Sequence, residues 1–433
     1  MGFIIPVLHE KFKNSKIIAL HIDDSIRLIE NHANTVSLYS IEPLEVQAFL
    51  EKELIEIDAS LIYIIEWRPS MNYYREAYVK LLSIVVEFIK RINAEKRTTL
   101  FFGRRWIRNF FKNLILINKT ILYRKTNLPV IVTGSGPGLE AALPVIRNMQ
   151  NNCLILASSS SVMALFHAGI KPDIVIATDG GCWALQHIYP FFRSAFNGFG
   201  YPANKSAIFA VNLNAVLPSQ CTDTPFLILN DGSFWQSIIL HELNLPSIII
   251  PQKGTVTASA VELALTLSDE SIFLAGMDLS VKDIRTHIKP YGFDHLFINN
   301  AQRLKPVYSE FFVRSKLLKD GGSMDIYAAW YKNQLELWPK RIFSIGEGNK
   351  LFANSIFSAH EEIVKKTDDY FKTVKLYEDT SGFCKTGVTT LLSALKDSRY
   401  KESLKTELVP LLFPNEKKVS DNDLEAAVYE VSK

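Results

Sequence analysis

The stretch VIVTGSGPGLE, residues 130–140, places three glycines and a proline directly after a short apolar run. The run predicts a strand through Val130–Thr133, and the residues that follow predict a helix over 139–150. A strand, a glycine turn and a helix N-terminus can form an anion site, because backbone N–H groups and the helix dipole favour negative charge. The stretch is therefore interpreted either as a phosphate-holding loop or as a sharp strand-to-helix turn.

The chain as a whole has the composition of a folded globular protein. Its 433 residues allow two or three domains, and 48% of them are hydrophobic and 21% charged. The net charge of +3 is too small to indicate nucleic-acid binding. No apolar run approaches the ~20 residues that span a bilayer, and the first residues lack a signal-peptide pattern. We expect neither a nucleic-acid partner nor a transmembrane segment.

The four cysteines are widely spaced and contain no CxxC pair. This spacing favours reduced thiols in the cytoplasm over a zinc site or a disulfide framework.

Residues 1–110 predict a small N-terminal α/β domain. The runs KIIALHI (16–22) and SLIYIIEW (60–67) predict buried strands, and the apolar spacing over 78–92 predicts an amphipathic helix. The basic, aromatic stretch over 104–117 predicts another helix. Its arginines could meet phosphate or a membrane surface, or its aromatic rings could pack inward while the charges stay in water.

Residues 111–300 alternate between strand-like and helical segments. The strand-like runs are short, continuous and apolar, as in strands that are buried on both faces. They are PVIVTG, NCLILAS, DIVIATD, AIFAVN, PFLILN, PSIIIP and SIFLAGMD. The alternation predicts an α/β fold with a doubly wound, Rossmann-like central sheet, in which ligands bind beyond the carboxyl ends of the strands. Residues 301–433 predict a mainly helical C-terminal region, with a short strand and a glycine turn within 341–356.

Small and acidic residues follow several of the predicted strands. They are GSGPG (134–138), SSSS (158–161), TDGG (178–181) and GMDLS (276–280). Because the carboxyl ends of parallel strands meet at one edge of a sheet, these segments predict a common site.

Four stretches, in this order and spacing, resemble the MptE-like family, which includes the bacterial motility accessory factors. They are VTGSGPGLEAALPVIRNMQ, ILASSSSVMALFHAGIKPDIVIATD, KGTVTASAVELALTLSDESIFLAGMDLS and THIKPYG. The resemblance covers roughly residues 100–300. The chain departs from the family pattern at Gly138, where serine is usual, and at Gly346–Gly348, which lack the usual threonine and paired glycines.

The resemblance implies a cytoplasmic glycosyltransferase that uses a CMP-activated nonulosonic acid, such as pseudaminic or legionaminic acid, as its donor. The acceptor implied is a Ser or Thr hydroxyl of flagellin, and the reaction would serve flagellar assembly and motility. The helical tail could then dock flagellin or pair with a second copy as a homo-oligomer.

The resemblance also implies the residues that bind the donor. The backbone of the glycine turn would contact the CMP phosphate, serine hydroxyls would contact the nucleotide or the sugar, and a second helix N-terminus would begin at Thr255. For Asp173 and Thr255 a turn bond and a helix cap are the alternatives. The expected donor-binding residues are Gly134, Ser135, Gly136, Pro137, Ser158, Ser159, Ser160, Asp173, Gly254 and Thr255.

His287, Asp278 and Asp179 are the expected catalytic residues. Sugar transfer requires charge stabilisation on the departing phosphate and removal of a proton from the acceptor, and histidine can serve either need. The resemblance places His287 at the site, and both aspartates end predicted strands. No D-x-D motif ends a strand, since Asp231 stands alone before Gly232. Metal dependence stays open, with Asp179 and Asp278 as the candidate ligands for Mg²⁺.

Two alternatives come from different functional classes. The first is a 6-hydroxymethylpterin diphosphokinase, an enzyme that transfers a diphosphate from ATP. Archaeal members of the family resemble such enzymes. The extra regions on both sides of the core argue against it, because a protein acceptor needs docking surface and a small molecule does not. The second is a non-catalytic flagellin assembly factor, which the departures at Gly138 and Gly346–Gly348 favour.

Overall fold

The computed structural model describes residues 4–23, 34–54, 61–192, 207–251, 255–320, 327–328, 331, 334, 337–345, 371–376, 379–416 and 418–433. The chain forms two compact units, Met1–Thr99 and Leu100–Lys433. Of the helices described, none has the length and apolar character needed to cross a membrane.

The first unit combines a two-stranded parallel sheet with helices. Its elements are α1 (Ile4–Lys11), β1 (Ile17–Leu20), β2 (Thr35–Leu38), α2 (Pro43–Leu54), α3 (Arg68–Tyr73) and the first part of α4 (Arg75–Leu114). Val46 and Leu50 of α2 pack with Leu81, Ile84 and Phe88 of α4 in a small core. The strand predicted within 16–22 is confirmed as β1, but its residues are half-buried rather than buried, because the sheet has only two strands; the helix predicted over 78–92 is confirmed.

The buried strand predicted over 60–67 is wrong. Residues 62–67 belong to no strand, and the side chain of Tyr63 is 86% exposed. An apolar run forms a strand only when another strand pairs with it. Here β1 and β2 pair with each other, and no described strand pairs with residues 62–67. The two helices predicted over 78–92 and 104–117 are one helix, α4. Its aromatic residues Phe110 and Phe111 are fully buried, which confirms inward packing of the rings.

The second unit is built on one ten-stranded sheet. The strands follow the order β11–β10–β4–β5–β6–β7–β8–β3–β12, and β9 also pairs with β8. All pairs are parallel except β12 with β3. The strands are β3 (Lys119–Tyr123), β4 (Val130–Thr133), β5 (Leu154–Ser158), β6 (Ile174–Ala177), β7 (Ile208–Asn212), β8 (Pro225–Asn230), β9 (Ser247–Ile249), β10 (Ile272–Ala275), β11 (Ile342–Ser344) and β12 (Phe371–Leu376).

Helices cover both faces of this sheet, as the doubly wound prediction requires. Successive strand residues point to opposite faces, so Ile131 packs in one core while Val130 and Val132 pack in the other. The helices are α5 (Leu139–Met149), α6 (Val162–His167), α7 (Leu185–Phe192), α8 (Phe234–Glu242), α9 (Val256–Leu267), α10 (Asp294–Asn299), α11 (Val307–Asp320), α12 (Phe383–Lys396), α13 (Lys401–Leu412) and α14 (Asp421–Ser432).

The helical C-terminal region packs on the sheet rather than standing apart from it. Leu391, Leu404, Leu408 and Val428 of helices α12 to α14 are buried in the same core as Ile131. The turn expected after β11 lies outside the described residues.

The order of the strands reverses at β4. The chain passes from β4 to β5 on one side, whereas β10 pairs with β4 on the other. Such a switch point leaves a crevice at the carboxyl ends of the two central strands, where ligands bind in open α/β sheets. The glycine turn after β4 lies at this crevice.

Candidate active site

The crevice between β4 and β10 is formed by two backbone segments in close contact. Gly134 N–H donates to the carbonyl of Ala275 at 2.8 Å, and Gly136 N–H donates to the carbonyl of Gly276 at 2.8 Å. A Cβ at position 136 would lie 2.2 Å from Asp278 Oδ2, and Gly276 has a φ of +67°. The glycines are therefore required by the approach of the two loops and by the left-handed backbone at Gly276.

Asp278 places a carboxylate at the N-terminus of α5. Its Oδ2 accepts a hydrogen bond from Gly138 N–H at 2.6 Å. A negative charge is favourable at that end of a helix, so Asp278 holds part of the position that we predicted for a phosphate. The expectation that the amides of Gly134 and Gly136 face the phosphate is corrected here, because both donate to carbonyls of the β10 loop.

The loop that carries His287 is tied to the glycine turn. Ile288 N–H donates to the carbonyl of Ser135 at 2.9 Å. The His287 ring stacks on Tyr291 with 4.1 Å between centroids, and its Nδ1 lies 2.9 Å from Thr286 Oγ1. Burial lowers the pKa of His287 to about 3, and the nearby His187 acts in the same direction. The imidazole is thus neutral near pH 7.

A second histidine lies behind this pair and was missed from the sequence. His187 is 8% exposed, and its ring centroid lies 4.8 Å from that of Tyr291 and 4.9 Å from that of Phe293. Burial lowers the pKa of His187 to about 4. Its buried Nδ1 has no hydrogen-bond partner within the described part of the chain. The sequence around His187 is an ordinary apolar helix, so no local pattern indicates that this histidine lies near the site.

Asp179 belongs to the same edge of the sheet. It follows β6, its side chain is exposed, and its Oδ1 accepts from Gly181 N–H at 2.7 Å. Burial raises the pKa of the nearby Tyr291; the charge of Arg314 opposes this effect, and the charges of Asp294 and Asp179 add to it.

The serine loop after β5 meets the end of β4. Ser158 Oγ lies 3.2 Å from Ser160 Oγ, and Ser161 Oγ lies 2.8 Å from the hydroxyl of Thr133. Ser159 begins the short helical turn between Ser158 and Val162. The expected hydroxyl groups therefore lie at the carboxyl edge beside the crevice, together with Ser135 and Pro137.

Two of the expected binding residues have structural roles instead. Asp173 lies at the amino end of β6, at the opposite edge of the sheet, where its Oδ2 accepts from Ile155 N–H at 2.7 Å. Asp173 is thus corrected to a residue that joins neighbouring strands. Thr255 caps α9 by accepting from Ala258 N–H at 3.1 Å. Gly254, which precedes it, lies outside the described residues.

A cluster that we call the amide corner lies at the carboxyl ends of β7 and β8. Asp231 Oδ2 accepts from Asn214 Nδ2 at 2.9 Å and from Gln236 Nε2 at 2.7 Å. In the described part of the chain, the buried atoms Asn214 Oδ1, Gln236 Oε1 and Ser233 Oγ have no hydrogen-bond partner. The corner was not predicted from the sequence, although asparagines at the carboxyl ends of these strands, as in AVNLNA and LILNDG, were an available signal.

No group of three or more His, Cys, Asp or Glu side chains within the described ranges is arranged to hold a metal ion. Asp278 is already bonded to α5, and Asp179 to its own turn. Metal dependence, with Asp179 and Asp278 as the candidate ligands for Mg²⁺, stays a prediction.

Comparison with known proteins agrees with this architecture. Residues 104–283 match the family described as "6-hydroxymethylpterin diphosphokinase MptE-like". The expected resemblance to the MptE-like family is thereby confirmed over that range.

Two relatives from Treponema pallidum (strain Nichols), both named "Uncharacterized protein", are similar to this chain. One is 27% identical over 268 residues, which cover 62% of this chain and 56% of the relative. The other is 25% identical over 284 residues, which cover 64% and 46%. The chain thus spans about half the length of the curated relatives it matches.

One solved structure shares the fold. It is described as "Structure of MAf glycosyltransferase from Magnetospirillum magneticum AMB-1" and aligns with a TM-score of 0.50 at 11% identity. The alignment covers 92% of this chain and 63% of that protein. The α/β class and the Rossmann-like sheet predicted from the sequence are confirmed by this likeness and by the strand order.

Proposed function

We propose that this protein is a glycosyltransferase that moves a nonulosonic, sialic-acid-like sugar from a CMP donor to a Ser or Thr hydroxyl of flagellin. The observation that carries the proposal is the crevice, where hydrogen bonds join the glycine turn both to Asp278 and to the loop of His287. The match to the MptE-like family and the fold shared with a Maf glycosyltransferase support a transferase. Flagellar assembly and motility would be the process served.

The donor side of the reaction uses neutral hydrogen-bonding groups. The His287 imidazole is neutral because burial lowers its pKa, so it is suited to donate a hydrogen bond to a departing phosphate and poorly suited to take a proton. Ser158 and Ser160 supply further hydroxyl donors at the end of β5. We assign the Asp278 carboxylate, which also accepts from Gly138 N–H, to the contact with a ribose hydroxyl of the donor.

The acceptor side requires a base that is exposed to an incoming protein. Asp179 meets this need, because its carboxylate is exposed at the same edge of the sheet. The bond between the anomeric carbon and the phosphate oxygen breaks, and its electrons leave with CMP. The acceptor oxygen bonds to the anomeric carbon through an oxocarbenium-like transition state, and its proton passes to Asp179. No step is assigned to a metal ion.

We place the reaction in the cytoplasm, in agreement with four cysteines that form no disulfide bond among the described residues. A possible homo-oligomer has no support from the described residues and stays a prediction.

The first test is calorimetric titration of the full chain with CMP and with ATP, each with and without Mg²⁺. CMP binding is expected, followed by CMP release from CMP-sialic acid in the presence of flagellin. Asp179→Asn should abolish this transfer and leave CMP binding intact. Asp379→Asn is the matched control, because Asp379 is exposed and makes the same kind of turn bond, to Ser381 N–H at 2.8 Å.

Other outcomes of this titration distinguish the alternatives. Preference for ATP with Mg²⁺ would favour a diphosphokinase, which the description of the matched family supports. Binding of neither nucleotide would contradict the transferase and favour a non-catalytic flagellin assembly factor.

A further inference from the structure

A cavity of about 410 Å³ opens beside the aromatic rings that surround His187. Its walls come from Trp183, from α10 with the turn that follows it, and from α11. Aromatic rings connect it to the candidate active site: Phe293 lies 4.9 Å from His187 and 6.4 Å from Trp183, measured between ring centroids. The volume is that of a small-molecule site. Phe293 also lies 5.5 Å from Tyr291, whose ring stacks on His287, so two ring contacts link the cavity wall to His287.

The charges in the cavity wall sum to one positive charge. Lys305 Nζ pairs with Glu310 Oε2 at 3.0 Å. Arg314 lies 4.9 Å from the centre of the Phe297 ring and makes no ion pair with any residue that the structure describes. A guanidinium stacked on a ring keeps its donors free in one plane, which suits a carboxylate bound by two parallel hydrogen bonds.

The remaining wall is apolar. Trp183 is 62% exposed at the mouth, and Phe293, Leu296 and Val307 line the interior. Such rings pack against the C–H face of a sugar, while Asn300 and the Lys305–Glu310 pair can bond its hydroxyls.

We propose that this cavity binds the ring of a sugar acid, with the carboxylate on Arg314 and the ring against Trp183. The inference rests on the proposed function for its sugar class, and it adds two specificity-determining residues to that function. A phosphate dianion fits less well, because the wall offers a net charge of only +1, which matches a monoanion. An apolar peptide segment fits less well, because it would cover Arg314 without pairing it.

The test is ligand-observed NMR and calorimetry on the full chain, with N-acetylneuraminic acid as the probe. Its methyl ester and inorganic phosphate are the comparison ligands. Arg314→Gln should weaken binding of the acid about tenfold or more, which corresponds to the loss of one charged contact of about 1.4 kcal/mol. Trp183→Ala should weaken the acid and the ester by similar factors.

Matched variants on the same elements keep the test specific. Arg303→Gln removes an exposed arginine outside the cavity, and Phe312→Ala removes an exposed ring of α11. Both should bind the acid as the natural protein does. Circular dichroism of Arg314→Gln and Trp183→Ala confirms that they are folded.

Binding of the acid that depends on Arg314 supports the inference, whether or not CMP binds. Equal binding of acid and ester, tighter binding of phosphate, or insensitivity to Arg314→Gln would overturn it. If CMP binds and the acid does not, the sugar-acid site fails while the transferase stands. If the acid binds and CMP does not, the nucleotide part of the proposed function fails while the site stands.

Discussion

The crevice and the amide corner occupy the same edge of one sheet, yet different groups hold them together. At the crevice, main-chain N–H groups of Gly134 and Gly136 bond main-chain carbonyls, and there is no room for a side chain. At the amide corner, Asp231 accepts hydrogen bonds from two side-chain amides, and three buried polar atoms have no partner among the residues that the structure describes.

The backbone hydrogen bonds make the crevice a closely packed region, whereas the amide corner keeps polar atoms available for hydrogen bonding. Glycine-rich turns are usually interpreted as cradles for phosphate, but here the backbone donors of the turn are largely spent on packing. Buried polar atoms without partners are costly, so the amide corner keeps unused hydrogen-bonding groups, whereas the backbone of the crevice does not. Substitutions at Gly136, Asp231 and Asp278 test this contrast, and a substitution at His187 tests the buried histidine.

The largest effect is expected for Gly136→Ala at the crevice. The new Cβ would lie 2.2 Å from Asp278 Oδ2 and 2.8 Å from the Gly276 carbonyl, so both loops would have to move apart. We expect a loss of about 2–3 kcal/mol in the free energy of unfolding, measured by urea denaturation. Gly382→Ala is the control, because nothing lies within 4 Å of a Cβ there. Equal stability of the two variants would show that the crevice is loosely packed.

At the amide corner, Asp231→Ala should cost about 2 kcal/mol in the same experiment. The substitution leaves the side-chain amides of Asn214 and Gln236 without their acceptor. Asp231→Asn keeps the size and one acceptor oxygen, so its loss should be about half as large. If Asp231→Ala is as stable as the natural chain, these amides find other partners and the contrast between the two regions breaks down.

The third prediction concerns the pH dependence of stability through His187. Burial lowers its pKa to about 4 in the folded chain, against an ordinary value of 6.5 for histidine. Between these values the unfolded chain binds more protons, so stability falls as the pH falls. One such histidine contributes a slope of up to about 1.4 kcal/mol per pH unit. His187→Phe should flatten the decline measured between pH 6.5 and pH 5.

The matched substitution for this measurement is His241→Phe, since His241 lies exposed on α8. It removes no buried imidazole and should leave the slope in place. An unchanged slope in His187→Phe would mean that the acid sensitivity has another origin.

The smallest effect is expected for Asp278→Ala, which removes the acceptor of Gly138 N–H at the start of α5. Loss of such a cap costs about 1 kcal/mol. Asp278→Asn should restore most of this stability, because asparagine caps helices about as well. The two variants, compared by thermal unfolding, separate capping from the proposed contact with the donor, which both substitutions would weaken.

The central sheet could be predicted because each of its core strands is a short apolar run between turn residues. All seven runs predicted as strands within 111–300 are strands of this sheet. β3 and β12 were not predicted, because KTILY and FKTVKL mix lysines and threonines with apolar residues. Such mixed sequences form strands only because neighbouring strands pair with them.

The site could be predicted in part for a related reason. The topology brings the glycine turn, Asp278 and His287 together, as the resemblance implied. The engagement of the glycine amides could not be predicted, because their acceptors belong to Ala275 and Gly276, which are remote in sequence. The neutral state of His287 likewise follows from burial, which no local motif encodes.

The antiparallel pair of β3 and β12 sets an order of events during synthesis. β3 is the first strand of the sheet to be made, but its partner over Phe371–Leu376 is made only after all the other strands of the sheet. Until then one side of β3 is an open edge that can recruit other nascent chains. A ribosome that stalls before β12 would therefore release a product prone to aggregation, even though the crevice and its histidine loop are already encoded.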